Sequence, residues 1–392
     1  MRKTLISLLF ICFSLSLLSQ AANDIHFRSV LVDTHNDILS SSVLDGLDIS
    51  KRLTTGHSDL IRWKEGGLDV QFFSVWTGEI ARNKEGFYKD ANQEIDSLDS
   101  IVKRNSDKMI LAKTYKDVMR GIKEKKLVAL IGVEGGHMIE SDMNKLDALY
   151  NRGMRYMTLT WNNSTDWSTS ARDETQKSDK LGHKGLTDFG RQIVKRMNEL
   201  GILVDLSHTG EQTFYDALAV TGKPVLLSHS SVYNICPVFR NVKDEQIKAV
   251  AKNGGVICIN FNAGFVGKEF SEMEMTLEKN SKQMEDSLKA IYNDSVTVHR
   301  KSEEAIAAKL NPYRPGLAQL IDHIDYIVKM VGDDYVGIGS DFDGVTSLPM
   351  QMDDVTCYPL ITKELIKRGY TKKSIRKILG GNVLRVMKAN LK

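Results

Sequence analysis

Short apolar runs recur along this chain, and each is about as long as a buried β-strand. Eight of them can be counted, at residues 30–37, 68–76, 127–134, 155–161, 203–208, 225–229, 255–261 and 336–341. Helical patterns lie between most of the runs, at residues 88–105, 114–125, 143–152, 187–200, 211–220, 244–253 and 317–331, and two more close the chain at 362–368 and 373–388. Strands that alternate with helices in this way predict an α/β fold, a (β/α)8 TIM-like barrel.

An open doubly wound sheet is the alternative α/β fold. It usually carries a glycine-rich phosphate loop directly after its first strand. Here the first apolar run ends in His35-Asn36-Asp37 instead. The sequence therefore favours the barrel.

Five of the apolar runs end in side chains that can bind a metal ion. In a parallel barrel the C-terminal strand ends meet at one face, and that face carries the active site. Three imidazoles and three carboxylates would arrive there, and imidazole suits zinc well. The sequence thus predicts a metal centre built from His35, Asp37, Glu134, His208, His229 and Asp341.

The spacing of these residues along the chain indicates how they could share the work of binding metal ions. His35 and Asp37 are two positions apart on a strand, so their side chains point to the same side. Burying two such polar groups without a partner would be costly, and a divalent cation removes that cost. Glu134 can bridge two metal ions with its two oxygens, or it can be a helix-capping or ion-paired residue. His208 and His229, each of which alone would be read as a core histidine, lie about one βα unit apart.

Asp341 follows the last apolar run. A carboxylate beside an activated water can take its proton and pass it to a leaving amine. The alternative is a simple turn residue, which Asp343 before Gly344 fits better. His137, in the glycine-rich segment after Glu134, is interpreted as structural rather than as a ligand.

Composition narrows the choice of partners. The 392 residues are 42% hydrophobic and 26% charged with a net charge of +3, which is ordinary for one large globular domain. No long basic stripe is present, so we expect no nucleic-acid partner. The small positive excess does not indicate attraction to a membrane surface.

The N-terminus has the pattern of a secretory signal peptide. Arg2 and Lys3 precede an apolar stretch, and small residues up to Ala21 form a cleavage site. We therefore expect residues 1–21 to be removed, and residues 22–392 to form one exported, periplasmic or extracellular domain without a transmembrane segment. An uncleaved anchor is the alternative.

Residues 264–315 form an insertion between the seventh and eighth predicted strands, and it contains a charged helical stretch at 271–292. Such an insertion is typical of a lid, a subunit contact or a solvated surface helix.

Several stretches of the chain match the motifs of a known family in order and spacing. Taken together, over residues 30–388, the chain resembles the renal (membrane) dipeptidase family of zinc peptidases, which are amidohydrolase-type barrels of the metal-dependent hydrolase class. The matching stretches are Asp33-Thr34-His35-Asn36-Asp37, Glu134-Gly135-Gly136-His137, Asp205-Leu206-Ser207-His208, Ser228-His229-Ser230-Ser231-Val232-Tyr233, Arg240-Asn241-Val242 and Gly339-Ser340-Asp341-Phe342-Asp343-Gly344.

The resemblance implies a dipeptidase with two zinc ions per chain. His35 and Asp37 would hold one ion, His208 and His229 would hold the other, and Glu134 would bridge them. A bridging hydroxide would attack the peptide carbonyl, and Asp341 would shuttle the proton. Arg240 would pair with the free carboxylate of a small dipeptide, a role that suits a guanidinium. Members of the family often dimerise, so a homodimer is one assembly that the resemblance implies.

One position departs from the family pattern. The family run Thr-Leu-Thr is commonly followed by a histidine that polarises the substrate carbonyl, whereas Thr158-Leu159-Thr160 is followed here by Trp161. An indole cannot replace an imidazole chemically. Asn162 or Asn163 could donate a hydrogen bond to the oxyanion instead, or a zinc ion could stabilise it alone.

Two other functions remain as alternatives to the exported dipeptidase. A different dinuclear barrel metallohydrolase, such as a deaminase or a lactonase, commonly begins with His-x-His and uses a carboxylated lysine after strand four, and neither is present here. A non-catalytic binding protein would be expected to have lost a ligand or the proton shuttle, whereas every one of these residues is present.

Overall fold

The structure of this protein is a computed structural model, which describes residues 20, 22–289, 291 and 295–392. Apart from residue 20, the predicted signal peptide lies outside the described residues. The strands of the described part are β1 (Val32–Asp33), β2 (Val70–Val75), β3 (Met109–Leu111), β4 (Leu127–Glu134), β5 (Met154–Thr158), β6 (Leu203–Asp205), β7 (Leu226–Leu227), β8 (Val256–Ile259) and β9 (Val336–Ile338).

Eight of these strands form a closed parallel barrel. They pair in the order β2-β1-β9-β8-β7-β6-β5-β4, and the pairing of β2 with β4 closes the ring. Each of the eight lies within or overlaps one of the predicted runs, so the (β/α)8 barrel is confirmed. The short strand β3 pairs with the N-terminal part of β4 outside this ring, and the sequence did not predict it.

Helices follow the barrel strands, and seven of the ten predicted helices begin and end within two residues of their predicted bounds. They are α1 (Leu60–Glu65), α2 (Phe87–Arg104), α3 (Tyr115–Lys123), α4 (Met143–Arg152), α5 (Ala171–Gln176), α6 (Asp188–Leu200), α7 (Glu211–Val220), α8 (Asp244–Asn253), α9 (Ala263–Val266), α10 (Lys268–Lys279), α11 (Ser281–Lys289), α12 (Ser295–Leu310), α13 (Leu317–Val331), α14 (Tyr358–Lys367), α15 (Lys372–Arg376) and α16 (Asn382–Asn390).

Three helix predictions were wrong in extent. The charged stretch 271–292 is not one helix, because α10 ends before Asn280 and α11 begins after it; residues 290 and 292 lie outside the described part. The helix predicted at 373–388 is interrupted by a π-helical segment, Lys377–Gly381. The helix predicted at 362–368 begins earlier, with Tyr358 and a proline in its first turn.

Helix α6 shows how local sequence sets the boundaries of an element. The hydroxyl of Thr187 accepts a hydrogen bond from the backbone N–H of Gly190, which caps the N-terminus. Gly201 ends the helix with a φ of 87°, in the left-handed region that glycine adopts without strain.

Apolar side chains alternate along the barrel strands between two buried clusters. Phe72 and Leu130 belong to a cluster that also includes Val383 and Met387 of α16, whereas Phe73 and Ile131 belong to the larger cluster that includes residues of the surrounding helices. This alternation is the two-residue periodicity of a strand with both faces buried. The barrel is therefore a packed core whose polar groups concentrate at its C-terminal rim.

In the described part of the chain, no helix combines the length and the apolar character that crossing a membrane requires.

Candidate metal centre

The predicted ligands meet at the C-terminal ends of the barrel strands. His35 follows β1, Glu134 is the last residue of β4, and His208 follows β6. His229 follows β7 and Asp341 follows β9. All of them are buried, although they are ionisable groups.

The predicted ligands form one buried cluster, and one half of this cluster is centred on His35. Its Nε2 lies 3.2 Å from Asp37 Oδ2 and 3.4 Å from Glu134 Oε2. Both His35 Nε2 and Asp37 Oδ1 are buried without a hydrogen-bond partner among the described residues. Buried polar atoms normally have partners, so these two unpartnered atoms fit the binding of a cation.

The other oxygen of Glu134 faces the second half of the cluster. Glu134 Oε1 lies 2.9 Å from His208 Nε2 and 3.3 Å from His229 Nε2. The two Nε2 atoms are 3.0 Å apart. The two oxygens of one carboxylate thus point at two separate sets of donors.

Each of the three histidines is held by its other ring nitrogen. Nδ1 of His35 lies 2.7 Å from the Tyr156 hydroxyl. Nδ1 of His208 lies 3.0 Å from Asn162 Oδ1, and Nδ1 of His229 lies 2.8 Å from the Ser228 hydroxyl. When Nδ1–H donates to such a partner, the lone pair of the ring is on Nε2. In each case this is the nitrogen that faces Glu134, as a metal ligand requires.

The charge states of His208 and His229 also suit metal binding. Burial and the nearby guanidinium of Arg240 lower the pKa of His208 to about 3. Burial and the charge of His35 lower the pKa of His229 well below its ordinary value. Both imidazoles are therefore neutral near pH 7, which is the form that binds a cation.

The pKa of His35 is shifted in the opposite direction. Burial disfavours its charged form, but Tyr156, Glu134 and Asp37 together raise its pKa well above the ordinary value. Burial alone would raise the pKa of Glu134, yet His35 and the other two imidazoles hold it well below its usual range. A proton on His35 thus supplies positive charge that the carboxylates need, and a divalent cation can replace it.

Asp341 stands at the edge of the first half. Its Oδ1 lies 3.8 Å from His35 Nε2, and its Oδ2 accepts a 2.8 Å hydrogen bond from Asn260 Nδ2. Burial and the nearby carboxylates raise its pKa well above the ordinary value. Two groups of side chains here offer ligand atoms within 4.8 Å of one another, His35 with Glu134 and His229, and His35 with Asp37 and Asp341.

Two of these residues have an unusual backbone. His208 and Asp341 both have a φ of 63°, in the left-handed region that non-glycine residues seldom adopt. Such a conformation costs about 1–3 kcal/mol and persists where the surrounding structure enforces it, often at functional sites.

A cavity of about 510 Å³ opens over the cluster and is lined by Glu134, His208 and Asp341 among others. Arg240, on its wall, is only 5% exposed. Its Nη2 donates to the backbone carbonyl of His229 at 3.2 Å, and its Nε has no partner among the described residues. A buried guanidinium with free donors can bind an anionic group of a ligand.

The family position occupied by Trp161 lies on the wall of the same cavity. Its indole packs against Trp76, with 5.2 Å between ring centroids, and lies 6.3 Å from the imidazole of His208. Asn162 also lines the cavity, with its carboxamide oxygen on His208. Asn163 is not among the lining residues.

A comparison with known families decides the class of this protein. Residues 19–392 match the sequence model of the family described as membrane dipeptidase, peptidase family M19. The chain belongs to this family. It is therefore a metal-dependent peptidase of the dipeptidase type, and the family resemblance noted in the sequence is confirmed.

Solved structures of related proteins share the fold of this family member. The probable dipeptidase PvdM from Pseudomonas aeruginosa is 24% identical, with a TM-score of 0.75 over 95% of this chain and 98% of that chain. Dipeptidase AC, a metallopeptidase of family M19, is 23% identical over 93% and 99%, with a TM-score of 0.73. A metallopeptidase from Rhodobacter sphaeroides, liganded with a phosphinate mimic of the dipeptide L-Ala-D-Ala, is 22% identical over 92% and 99%, with a TM-score of 0.71.

Several contacts of the site were not anticipated. Tyr156 and Asn260 lie in the predicted strands 155–161 and 255–261 and were not candidate site residues, yet they contact His35 and Asp341. Gly132 makes room for the Tyr156 ring, since a Cβ there would lie 2.0 Å from its Cζ. His137 is not in either group of candidate ligands, and its Nε2 contacts the carbonyl of Thr77.

Proposed function

We propose that this member of the dipeptidase family is an exported enzyme that uses two zinc ions to hydrolyse dipeptides with a free C-terminal carboxylate. His35 and Asp37 would hold one ion, and His208 and His229 the other. Glu134 would be shared between them. The observation that carries this proposal is the orientation of Glu134, whose Oε2 faces His35 while its Oε1 faces His208 and His229.

The donor set supports zinc as the metal. Neutral imidazoles and carboxylates are common zinc ligands, and the ring nitrogens opposite the metal are held by hydrogen bonds in the usual way. When bound, zinc would act as a Lewis acid that polarises the peptide carbonyl and makes water a better nucleophile.

The side chains around the metal ligands supply the remaining chemistry. Asp341 is the proposed proton shuttle, which accepts a proton from the attacking water and delivers it to the leaving amine. Its raised pKa and the hydrogen bond from Asn260 suit a group that holds a proton for part of the cycle. Asn162, held by His208, has its carboxamide nitrogen available as a donor to the oxygen of the scissile carbonyl.

Arg240 is the proposed binding group for the substrate carboxylate. It lines the cavity, and its Nε has no hydrogen-bond partner among the described residues. A charged partner would offset the cost of burying the guanidinium, which lowers its pKa to about 10. The related peptidase from Rhodobacter sphaeroides binds a phosphinate dipeptide mimic, and its tetrahedral phosphorus resembles the product of water attack on a peptide carbonyl. We extend that ligand class to this chain, including dipeptides with a D-residue at the second position.

Export would follow from the signal-peptide pattern of residues 1–21, with a mature domain of residues 22–392. Assembly as a homodimer remains a prediction.

A dipeptide panel with measured metal content tests the proposal. The purified protein should contain about two zinc ions per chain and hydrolyse L-L or L-D dipeptides. Chelation should abolish this activity, and added zinc should restore it. A metal-free preparation that retains full activity, or a loaded protein that cleaves no dipeptide, would overturn the proposal.

A further inference from the structure

A second cavity of about 760 Å³ adjoins the one over the metal ligands. Both are lined by His208, Phe239, Arg240 and Phe265, so they meet at the proposed carboxylate-binding arginine. A ligand whose carboxylate contacts Arg240 is therefore at the junction of the two cavities. The second cavity extends from there to helix α10 of the insertion, which contributes Ser271, Glu274, Met275 and Glu278.

Most of the charges that line the second cavity have partners. Lys243 pairs with Glu211 at 2.7 Å. Glu174 accepts hydrogen bonds from the Thr169 hydroxyl at 2.5 Å and the Gln212 backbone N–H at 3.2 Å. These groups are held by the protein itself.

Glu274 is different, because within the described chain its carboxylate has neither a hydrogen bond nor an ion pair. Burial, with a contribution from nearby Glu278, raises the pKa of Glu274 to about 7. A half-buried carboxylate without a counter-charge is unfavourable, and a bound cation would relieve that cost.

The position of Glu274 on its helix explains how the carboxylate comes to be buried. Phe270 and Leu277 lie four residues before and three residues after it, and both are buried, so Glu274 is on the packed face of α10. A Cβ on Gly264 would lie 2.4 Å from Glu274 Oε2, so glycine lets the carboxylate approach the backbone. On the exposed face, Glu272 contacts Lys268 at 3.7 Å.

We propose that the second cavity receives the side chain of the C-terminal residue of the dipeptide, and that Glu274 selects substrates whose side chain there ends in an ammonium or guanidinium group. The inference rests on the proposed dipeptidase function, and it adds a substrate class to it. Arg240 binds the carboxylate at one end of this residue, and Glu274 binds the cation at the other. The two opposite charges are not joined by an ion pair in the described residues, so each is available to the ligand.

The test compares three substrates that differ only in the second side chain, namely Ala-Lys, Ala-norleucine and Ala-Glu, each in the L-L and L-D forms. Norleucine keeps the four-carbon chain of lysine without the terminal ammonium group. We expect kcat/KM for Ala-Lys to exceed that for Ala-norleucine by at least about ten-fold, the effect of one charge-assisted contact. Ala-Glu should be the poorest of the three.

Three variants identify the group responsible. Glu274→Gln and Glu274→Met should bring the ratio of Ala-Lys to Ala-norleucine close to one while Ala-norleucine is still hydrolysed, which shows that the variants fold. The matched control is Glu272→Gln, on the exposed face of the same helix, and it should keep the wild-type ratio.

Different results would count against the specificity role of Glu274 and against the dipeptidase function. Unchanged ratios in both Glu274 variants, or a wild-type ratio near one, would overturn the specificity inference and leave the dipeptidase function standing. A zinc-loaded wild-type protein that hydrolyses none of the three substrates would refute both.

Discussion

Ser340 donates two hydrogen bonds to Asp33, one from its backbone N–H at 2.9 Å and one from its hydroxyl. Asp33 precedes His35 by two residues, and Ser340 immediately precedes Asp341. A buried carboxylate at the end of β1 therefore fixes the backbone next to a group proposed to act in catalysis at the end of β9. The site depends on these two hydrogen bonds because the backbone of Asp341 is left-handed and needs support.

The same arrangement recurs on the opposite side of the barrel. Asp205 accepts from the backbone N–H of Ser228 at 2.8 Å and from its hydroxyl at 2.6 Å. Ser228 immediately precedes His229 and also contacts the ring of that histidine through its hydroxyl. Burial raises the pKa of both Asp33 and Asp205, which shows the cost of placing these carboxyl groups inside the barrel.

Ser340→Ala should weaken both folding and catalysis. It removes one donor from a buried carboxyl group, so the free energy of unfolding should fall by about 1–3 kcal/mol. Because Asp341 loses part of its support, kcat should fall about 10- to 100-fold. Urea unfolding and steady-state kinetics on one dipeptide would measure the two effects.

Ser29→Ala is the matched control for this variant. Ser29 is also buried, and its hydroxyl donates to the carbonyl of Ile25, away from the cluster. It should lose stability without losing kcat. An equal loss of kcat in both serine variants would argue against a tie specific to the site.

Asp341→Asn should separate proton transfer from metal binding. The variant keeps an oxygen that can accept from Asn260, but it cannot take up a proton at neutral pH. We expect unchanged zinc content and a loss of about 10²- to 10⁴-fold in kcat. Because Asp341 lies as near to His35 and Asp37 as a ligand would, zinc content is the decisive measurement. Loss of one zinc per chain would make Asp341 a ligand, and near-normal turnover would remove it from the mechanism.

Arg240→Ala should discriminate between substrates by their C-terminal group. Removing the guanidinium takes away a charge-assisted contact with the carboxylate, worth about 1.5–3 kcal/mol. The kcat/KM for free dipeptides should therefore fall about 10- to 100-fold, mainly through KM. Dipeptide amides, which bind less well to the wild-type enzyme, should lose much less. Equal losses on acids and amides would mean that Arg240 stabilises the cavity without binding the carboxylate.

The barrel and the positions of the ligands were predictable because both follow from local patterns. A two-residue periodicity identifies a strand, and the ends of parallel strands share one face whatever their distance in sequence. This reasoning correctly predicted that His35, Glu134 and His229 lie close together. Their roles as metal ligands, and the single-domain organisation of residues 22–392, remain predictions.

Other features depend on register and could not be deduced from local patterns. Tyr156 contacts His35 across 121 positions, and this contact needs both the pairing of the strands and the space left by Gly132. Glu274 lies on an insertion for which the sequence left a lid, a subunit contact and a solvated surface helix open, and the burial of its neighbours Phe270 and Leu277 does not follow from the charge pattern. The three-residue strand β3 is too short to produce a recognisable periodicity.

Asp69, immediately before β2 and at the opposite end of the barrel strands from the candidate metal ligands, provides a test of the electrostatics of the fold. Burial raises its pKa to about 6, and its Oδ2 accepts a 2.8 Å hydrogen bond from the backbone N–H of Leu31. A carboxyl group whose pKa is higher in the folded than in the unfolded state stabilises the fold in its protonated form. That contribution is complete below about pH 4 and is lost as the pH rises through 6.

Asp69→Asn should therefore stabilise the protein above pH 6. The amide keeps an oxygen for Leu31 N–H and removes the buried charge, so the free energy of unfolding at pH 7.5 should rise by about 1–2 kcal/mol. The gain should shrink as the pH is lowered toward 5, because the wild-type carboxyl group becomes protonated there. Urea unfolding at both pH values measures this, and dipeptide turnover should not change. A gain that is the same at pH 5 and pH 7.5, or a loss at pH 7.5, would show that the Asp69 charge is adequately solvated in the fold.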